Sequence, residues 1–323
     1  MEQKFASRWV WKGIAALALA VSASAAYAAW PDKPIKLVAP FPPGGNADVL
    51  SRALGQELSN SLGQTIVVEN RPGAGGMIGS QYVSRATPDG YTFLMGAFSN
   101  VLNEFFYSKK LLDLRKDLAP VSQVVSIPNY IAVSRESKYQ NLRQLLDDAK
   151  ARPKTVTCGT SGVGTSSDLA CAVLNQLTGV EITRVPYKGG IPSITDLIGG
   201  QVTLIANNEA LPYIQDNRLR GLAVTSAKRS PLAPDLPSVA ETVPGFDMSS
   251  WYGVFAPADT PPDIVAKMAE TIAAVVQRPT MKQRLDALGA TPVGSSPAEF
   301  RQYILDELDK WGKLVKPLNI RID

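Results

Sequence analysis

The 323-residue sequence contains no histidine. That absence removes the imidazole base of Ser-His-Asp and Cys-His catalysis, and with it the commonest metal ligand. Cysteine occurs only at Cys158 and Cys171, too few for a thiolate cage around zinc or an iron–sulfur cluster. Neither a metal nor a cofactor is expected. Carboxylate or lysine catalysis stays open, so the composition leans away from an enzyme without closing the question. An excess of one charge is missing too, since 33 Lys and Arg stand against 29 Asp and Glu. No basic block is concentrated enough to neutralise a row of phosphates, so nucleic acid is not the expected partner. Beyond the N-terminus no apolar run approaches the ~20 residues that cross a bilayer.

What is present begins with a leader. Lys4, Arg8 and Lys12 form a basic start, Gly13 to Ala25 is apolar and small, and Ala26-Tyr27-Ala28 has the small-x-small form read by signal peptidase. The expectation is a signal peptide over residues 1–28, cleaved after Ala28, with an uncleaved anchor as the alternative. Without the leader, 30 basic residues face 28 acidic ones, a net charge of +2. The remainder is long enough to divide its core between two domains.

The next feature is an apolar run, Ile35 to Ala39, that stops at Pro40-Phe41-Pro42-Pro43-Gly44-Gly45 and passes directly into an amphipathic segment from Ala47 to about Leu62. Strand, tight turn and helix N-terminus is the reading. The first N–H groups of a helix lack intrahelical partners, and its dipole adds positive charge there, so such a turn suits an anion. A merely sharp turn explains the residues equally well. The pattern returns at Thr155 to Cys158, a strand, then Gly159 to Gly164, a loop, then Thr165 to Leu174, a helix. Two such starts facing one cleft would grip an anion from both sides.

Between and beyond them the chain reads as alternating strands and helices. Thr65 to Glu69 and Tyr91 to Met95 are strand-like, and the glycine-rich passage Asn70 to Gly79 lacks the Lys-Ser/Thr ending of a phosphate loop. Gly96 to Asn100 leaves a strand at its C-terminal end, where open α/β sheets place ligands. Leu118 to Val125 and Asn129 to Val133 are strand-like, and Asn141 caps a helix to Ala151. Asn207-Asn208 ends a strand over Gln201 to Ala206, either reaching a cleft or capping a helix. Ser249 to Pro257 reads as an extended crossover. Helices follow, the last opened by the capping box Ser296-Pro297-Ala298-Glu299. Lys188 beside Tyr187 is the one pair that could tempt an enzymatic reading, and a solvated lysine in a glycine-rich turn explains it as well.

Several motifs carry a resemblance in order along the chain. They are Trp30-Pro31-Asp32-Lys33-Pro34-Ile35, Pro43-Gly44-Gly45 with Asp48 and Arg52, Val68-Glu69-Asn70-Arg71-Pro72-Gly73-Ala74-Gly75-Gly76, Pro88-Asp89-Gly90-Tyr91-Thr92, Val185-Pro186-Tyr187-Lys188-Gly189-Gly190, and Trp251-Tyr252-Gly253. Together they resemble the Bug-type extracytoplasmic receptors of tripartite tricarboxylate transporters, across essentially the whole chain after the leader. The resemblance implies an α/β, two-lobed periplasmic-binding-protein fold of type II (Venus flytrap), each lobe a mostly parallel sheet flanked by helices. It implies lobe 1 over 29–122 and 253–323, lobe 2 over 123–252, and hinge crossovers near 100–125 and 225–256.

It also implies a periplasmic, monomeric receptor that closes on a small carboxylate solute and delivers it to a membrane permease. A ligand-dependent sensor is the alternative role. The implied ligand-binding residues are Phe41, Pro43, Gly44, Gly45, Asn46, Ala47 and Asp48 from the first loop, and Ser161, Gly162, Val163, Gly164, Thr165, Ser166 and Asp168 from the second. Ala97, Ser99 and Asn207 are further pocket candidates. Members of the family commonly have histidine where this chain has Asp168. A carboxylate pointing into the cleft there would repel a ligand carboxylate, which predicts a preference for monoacids or solutes with a cationic or donor far end over tricarboxylates. Cys158 ends a strand and Cys171 lies in the following helix, so an oxidising compartment would favour a disulfide between them, with two buried thiols as the alternative.

Overall fold

The computed structural model describes residues 30–107 and 111–315. The expected leader and its cleavage point after Ala28 lie outside the described residues. Strand β1 (Ile35–Ala39) leads into α1 (Asn46–Leu62), whose buried Leu50, Ala53, Leu54 and Leu58 recur at helical spacing and face the sheet. Gly63 ends α1 in the left-handed conformation, with its N–H bonded to the Ser59 carbonyl. β2 (Ile66–Asn70), α2 (Met77–Ser84), β3 (Thr92–Ala97) and α3 (Phe98–Phe106) repeat the alternation. β4 (Leu118–Pro128) is buried almost throughout and leaves the first sheet at its end.

Asn129 alone separates β4 from β5 (Tyr130–Ser134), which belongs to a second sheet. α4 (Leu142–Ala151), β6 (Thr157–Thr160), α5 (Ser166–Thr178), β7 (Thr183–Pro186), α6 (Gly190–Ile198), β8 (Leu204–Asn207), α7 (Leu211–Gln215) and β9 (Leu219–Val224) follow. The chain then returns to the first sheet through β10 (Ser249–Pro257). It ends in α8 (Pro262–Val276), α9 (Pro279–Ala287), the short β11 (Thr291–Pro292) and α10 (Pro297–Val315).

The first sheet has the order β11-β4-β10-β3-β1-β2 and the second β7-β6-β8-β5-β9. Each holds a parallel trio, β2-β1-β3 in one and β7-β6-β8 in the other. Each trio is followed by a strand that has just arrived from the other sheet, β10 or β5, running antiparallel. The sheets are therefore mixed rather than mostly parallel. A strand arriving from the neighbouring sheet has no crossover helix to reverse its direction, so it pairs antiparallel. The segment expected as an extended crossover, Ser249 to Pro257, is instead an inner strand, paired with both β3 and β4.

The last helix packs an aromatic cluster beneath these strands. Trp251 meets Phe300 edge to face at 5.6 Å between centroids, and Phe98 meets Trp311 at 5.2 Å. Arg278 and Thr280 both bond Glu57, fastening the start of α9 to α1. Among the described residues no helix is long and apolar enough to cross a membrane.

Candidate ligand-binding site

The two strand–loop–helix starts have one internal design. Gly44 and Gly164 both adopt positive φ, 83° and 75°, which turns the backbone so that their N–H groups point back at the helix that follows. Each N–H is received by an aspartate four residues on: Gly44 N donates to Asp48 Oδ2 at 3.0 Å, and Gly164 N to Asp168 Oδ2 at 3.1 Å. Each aspartate is buried and each is paired with an arginine. Arg52 Nε lies 3.1 Å from Asp48 Oδ2, and Arg184 Nη1 lies 2.8 Å from Asp168 Oδ2. Asn70 adds a hydrogen bond to Asp48 Oδ1 at 2.9 Å and another to the Phe41 carbonyl at 3.1 Å. Arg52 above all, with the Gly44 amide and Asn70, holds the Asp48 carboxyl at about 2 against the opposing effect of burial.

Asp168 is 2% exposed and its carboxylate is turned toward Gly164 and Arg184. With its carboxylate engaged by these two partners, Asp168 gives no ground for a preference against di- or tricarboxylates. Asp48 and Asp168 latch their own loops. What they leave free are the first N–H groups of α1 and α5, which helix geometry cannot satisfy internally. α1 begins after Gly45, which has no side chain to cap it, whereas the Thr165 hydroxyl receives the Asp168 N–H at 3.3 Å. Asn46 and Ser166 are the first helical residues of the two.

A cavity of about 320 Å³ brings Asn46 together with Ile191 and Glu209 from the second sheet's side. Gly189 N bonds the Ser161 carbonyl at 3.2 Å, tying the start of α6 to the second loop. No residue of the second loop lines this cavity, and Val163 on that loop is exposed. A larger cavity, about 630 Å³, is lined by Tyr82, Arg85 and Tyr91 and by no residue of either loop.

The other expected residues are arranged differently. Ala97 is buried at the end of β3, paired with Tyr252, and its N–H bonds Asn100 Oδ1 at 2.8 Å. Ser99 donates to the Gly75 carbonyl. Asn207 is fully buried and caps the turn after β8, accepting from Glu209 N at 2.9 Å, so of its two readings the structure shows capping. Tyr187 donates to Asp196 at 2.7 Å and Lys188 is exposed, so the two do not form a working pair. The structure joins Cys158 and Cys171 in a disulfide with Cα atoms 6.7 Å apart. Among the described residues no group of His, Cys, Asp and Glu could hold a metal ion.

Four residues here escaped sequence reasoning. Asn129, between the sheets, exchanges hydrogen bonds with Thr225 across the two crossovers and receives Ser166 Oγ at 3.4 Å on Oδ1. Its amide nitrogen is buried without an acceptor, and so is the Thr160 hydroxyl at the end of β6. Buried donors of this kind are costly unless something arrives to receive them. Glu209 and Tyr252 complete the set. Burial pushes the Glu209 carboxyl above its ordinary value, with Asn207 acting the other way. The Tyr252 phenol is pushed up to about 12 by burial, and the Glu209 charge adds to it. The signal for Glu209 was its place directly after Asn207-Asn208 at a strand end; for Asn129 no local signal exists.

The model of the tripartite tricarboxylate transporter family receptor matches residues 50–320. The protein BugT of Bordetella pertussis is 35% identical over 298 residues, covering 91% of each chain. Two solved structures from Rhodopseudomonas palustris have the same architecture. Rpa4515 with adipate is 36% identical at a TM-score of 0.75, over 89% of this chain and 97% of its own. MatC with bound malate is 29% identical at a TM-score of 0.71, over 88% and 100%. The chain belongs to the tripartite tricarboxylate transporter receptor family and is a solute-binding receptor of the periplasmic type.

Proposed function

We propose that this protein captures a small carboxylate solute between the α1 and α5 N-termini and hands it to the membrane permease of a tripartite tricarboxylate transporter. The observation that carries this reading is the pair of aspartate-latched loops. Each fixes a glycine turn so rigidly that the following N–H groups are held ready, which lowers the ordering cost of binding. Helix dipoles favour the negative charge, and the unpaired donors of Asn129 and Thr160 lie at the same end of the second sheet. The two relatives from Rhodopseudomonas palustris were solved with the carboxylates adipate and malate. Export with cleavage after Ala28, and action as a monomer, belong to the same proposal.

The lobes of the proposal follow the expected 29–122 with 253–323 and 123–252, except that β4 to Pro128 and β10 from Ser249 both belong to the first sheet, so the chain crosses at Asn129 and between 224 and 249. Because Ser166 touches Asn129, an anion at the start of α5 adjoins the crossover about which the lobes would close. Thermal-shift screening against a carboxylate library tests the reading. A solute at ~100 times its dissociation constant stabilises the native state by ~2.7 kcal/mol. No shift with any carboxylate, from protein shown by mass spectrometry to be ligand-free, would refute it.

A further inference from the structure

We propose that Glu209 selects the solute, and that the far end of the bound carboxylate carries a hydrogen-bond donor, above all an ammonium group, rather than a second carboxylate. The inference rests on the functional reading above and adds the ligand class. Glu209 is set down in the cleft by Asn207, whose side chain caps the turn between them. Its carboxylate lies directly over Gly190, where an added Cβ would come within 1.6 Å of Oε2 and 2.3 Å of the Asn207 amide nitrogen. Only glycine at the start of α6 leaves room for this placement. The carboxylate borders the same cavity as Asn46, the first helical residue of α1.

The cavity therefore brings together two electrically different features. At Asn46 a helix N-terminus offers N–H groups to an anion. Glu209 and Asp286 also line the space, and no lysine or arginine does. The α6 N-terminus offsets part of the Glu209 charge, an effect that is small for a partly exposed group. The Glu209 charge also reaches Tyr252. A second carboxylate placed beside Glu209 meets repulsion, whereas an ammonium group gains a charge-assisted hydrogen bond.

The test titrates purified protein at pH 7.5 with α,ω-amino acids and α,ω-dicarboxylates of matched chain length, followed by calorimetry. The expected result is at least about tenfold tighter binding of the amino acid at the best length. In Glu209→Gln, which keeps the shape and removes the charge, the amino acid should weaken about tenfold while the dicarboxylate holds or tightens. Tighter dicarboxylate binding by the unaltered protein would overturn the proposal, and so would equal weakening of both ligands in Glu209→Gln, the mark of a mere helix cap. Binding of neither series would overturn the carboxylate reading together with this one. The wild-type ratio decides even where the variant folds poorly.

Discussion

The first and second anion loops share a latch and differ in what surrounds it. In the first, Asp48 is served by Arg52 of its own helix and by Asn70, and the cap residue is Gly45. In the second, Asp168 is served by Arg184 from a neighbouring strand, Thr165 supplies a side-chain cap, and the Cys158–Cys171 disulfide ties the strand before the loop to the helix after it. Arg52 is 54% exposed and Arg184 31%. The second loop is thus held by a covalent link and a side-chain cap that the first lacks, while each draws one partner from a neighbouring strand, Asn70 or Arg184. What both retain is the glycine N–H to aspartate bond that frees the helix N-terminus, so that bond is the common requirement and the surroundings are interchangeable.

The largest differences should appear in stability. Reducing the disulfide, which closes a separation of 13 residues, should lower unfolding free energy by about 3 kcal/mol, read in urea with and without reductant. Hydrogen exchange should quicken in α5 and leave α1 unchanged. Asp168→Ala should cost about 3 kcal/mol and Asp48→Ala about 2, because the Asp168–Arg184 pair is the more desolvated and each change also orphans a glycine N–H. Equal costs would erase the distinction between the two aspartate–arginine pairs.

Binding sharpens the comparison next. Gly45 and Thr165 have φ and ψ of −79°, 167° and −75°, 164°, both suited to precede proline. Asn46→Pro and Ser166→Pro therefore delete one N–H each at a position where proline fits. Each should weaken carboxylate binding roughly 10- to 100-fold in calorimetry, against Asn46→Ala and Ser166→Ala as controls.

Acid should then act on the first loop. The Asp48 carboxyl is lowered from 3.8 to about 2, so its contribution is full above pH 3.8 and disappears as pH falls through about 2. With Arg52 half exposed, solvent screening limits this to about 1–2 kcal/mol. Asp48→Asn should flatten the acid limb of the stability profile by that amount. The smallest effect belongs to Thr160→Val, which removes an unpartnered buried hydroxyl and should raise ligand-free stability by up to about 1 kcal/mol while weakening binding.

Both loops were legible because proline, glycine and the onset of helical periodicity are adjacent in sequence. The mixed character of the sheets was not, since β4 and β10 are buried on both faces and carry no alternation to reveal a partner or a direction. The orientation of Asp168 was not legible for a related reason. Its position in the first turn is local, but the Arg184 that turns it away comes from β7, and only the fold brings the two together. Asn129 likewise acquires meaning from Thr225 and Ser166, residues distant along the chain.

The central claim is that backbone N–H groups of both loops receive one carboxylate. Amide chemical shifts of the isotope-labelled protein, followed during titration with a bound carboxylate, test it most directly. The amides of residues 45–47 and 165–167 should move together to saturation with a single dissociation constant. Movement confined to one loop, or saturation with neither loop perturbed, would contradict it.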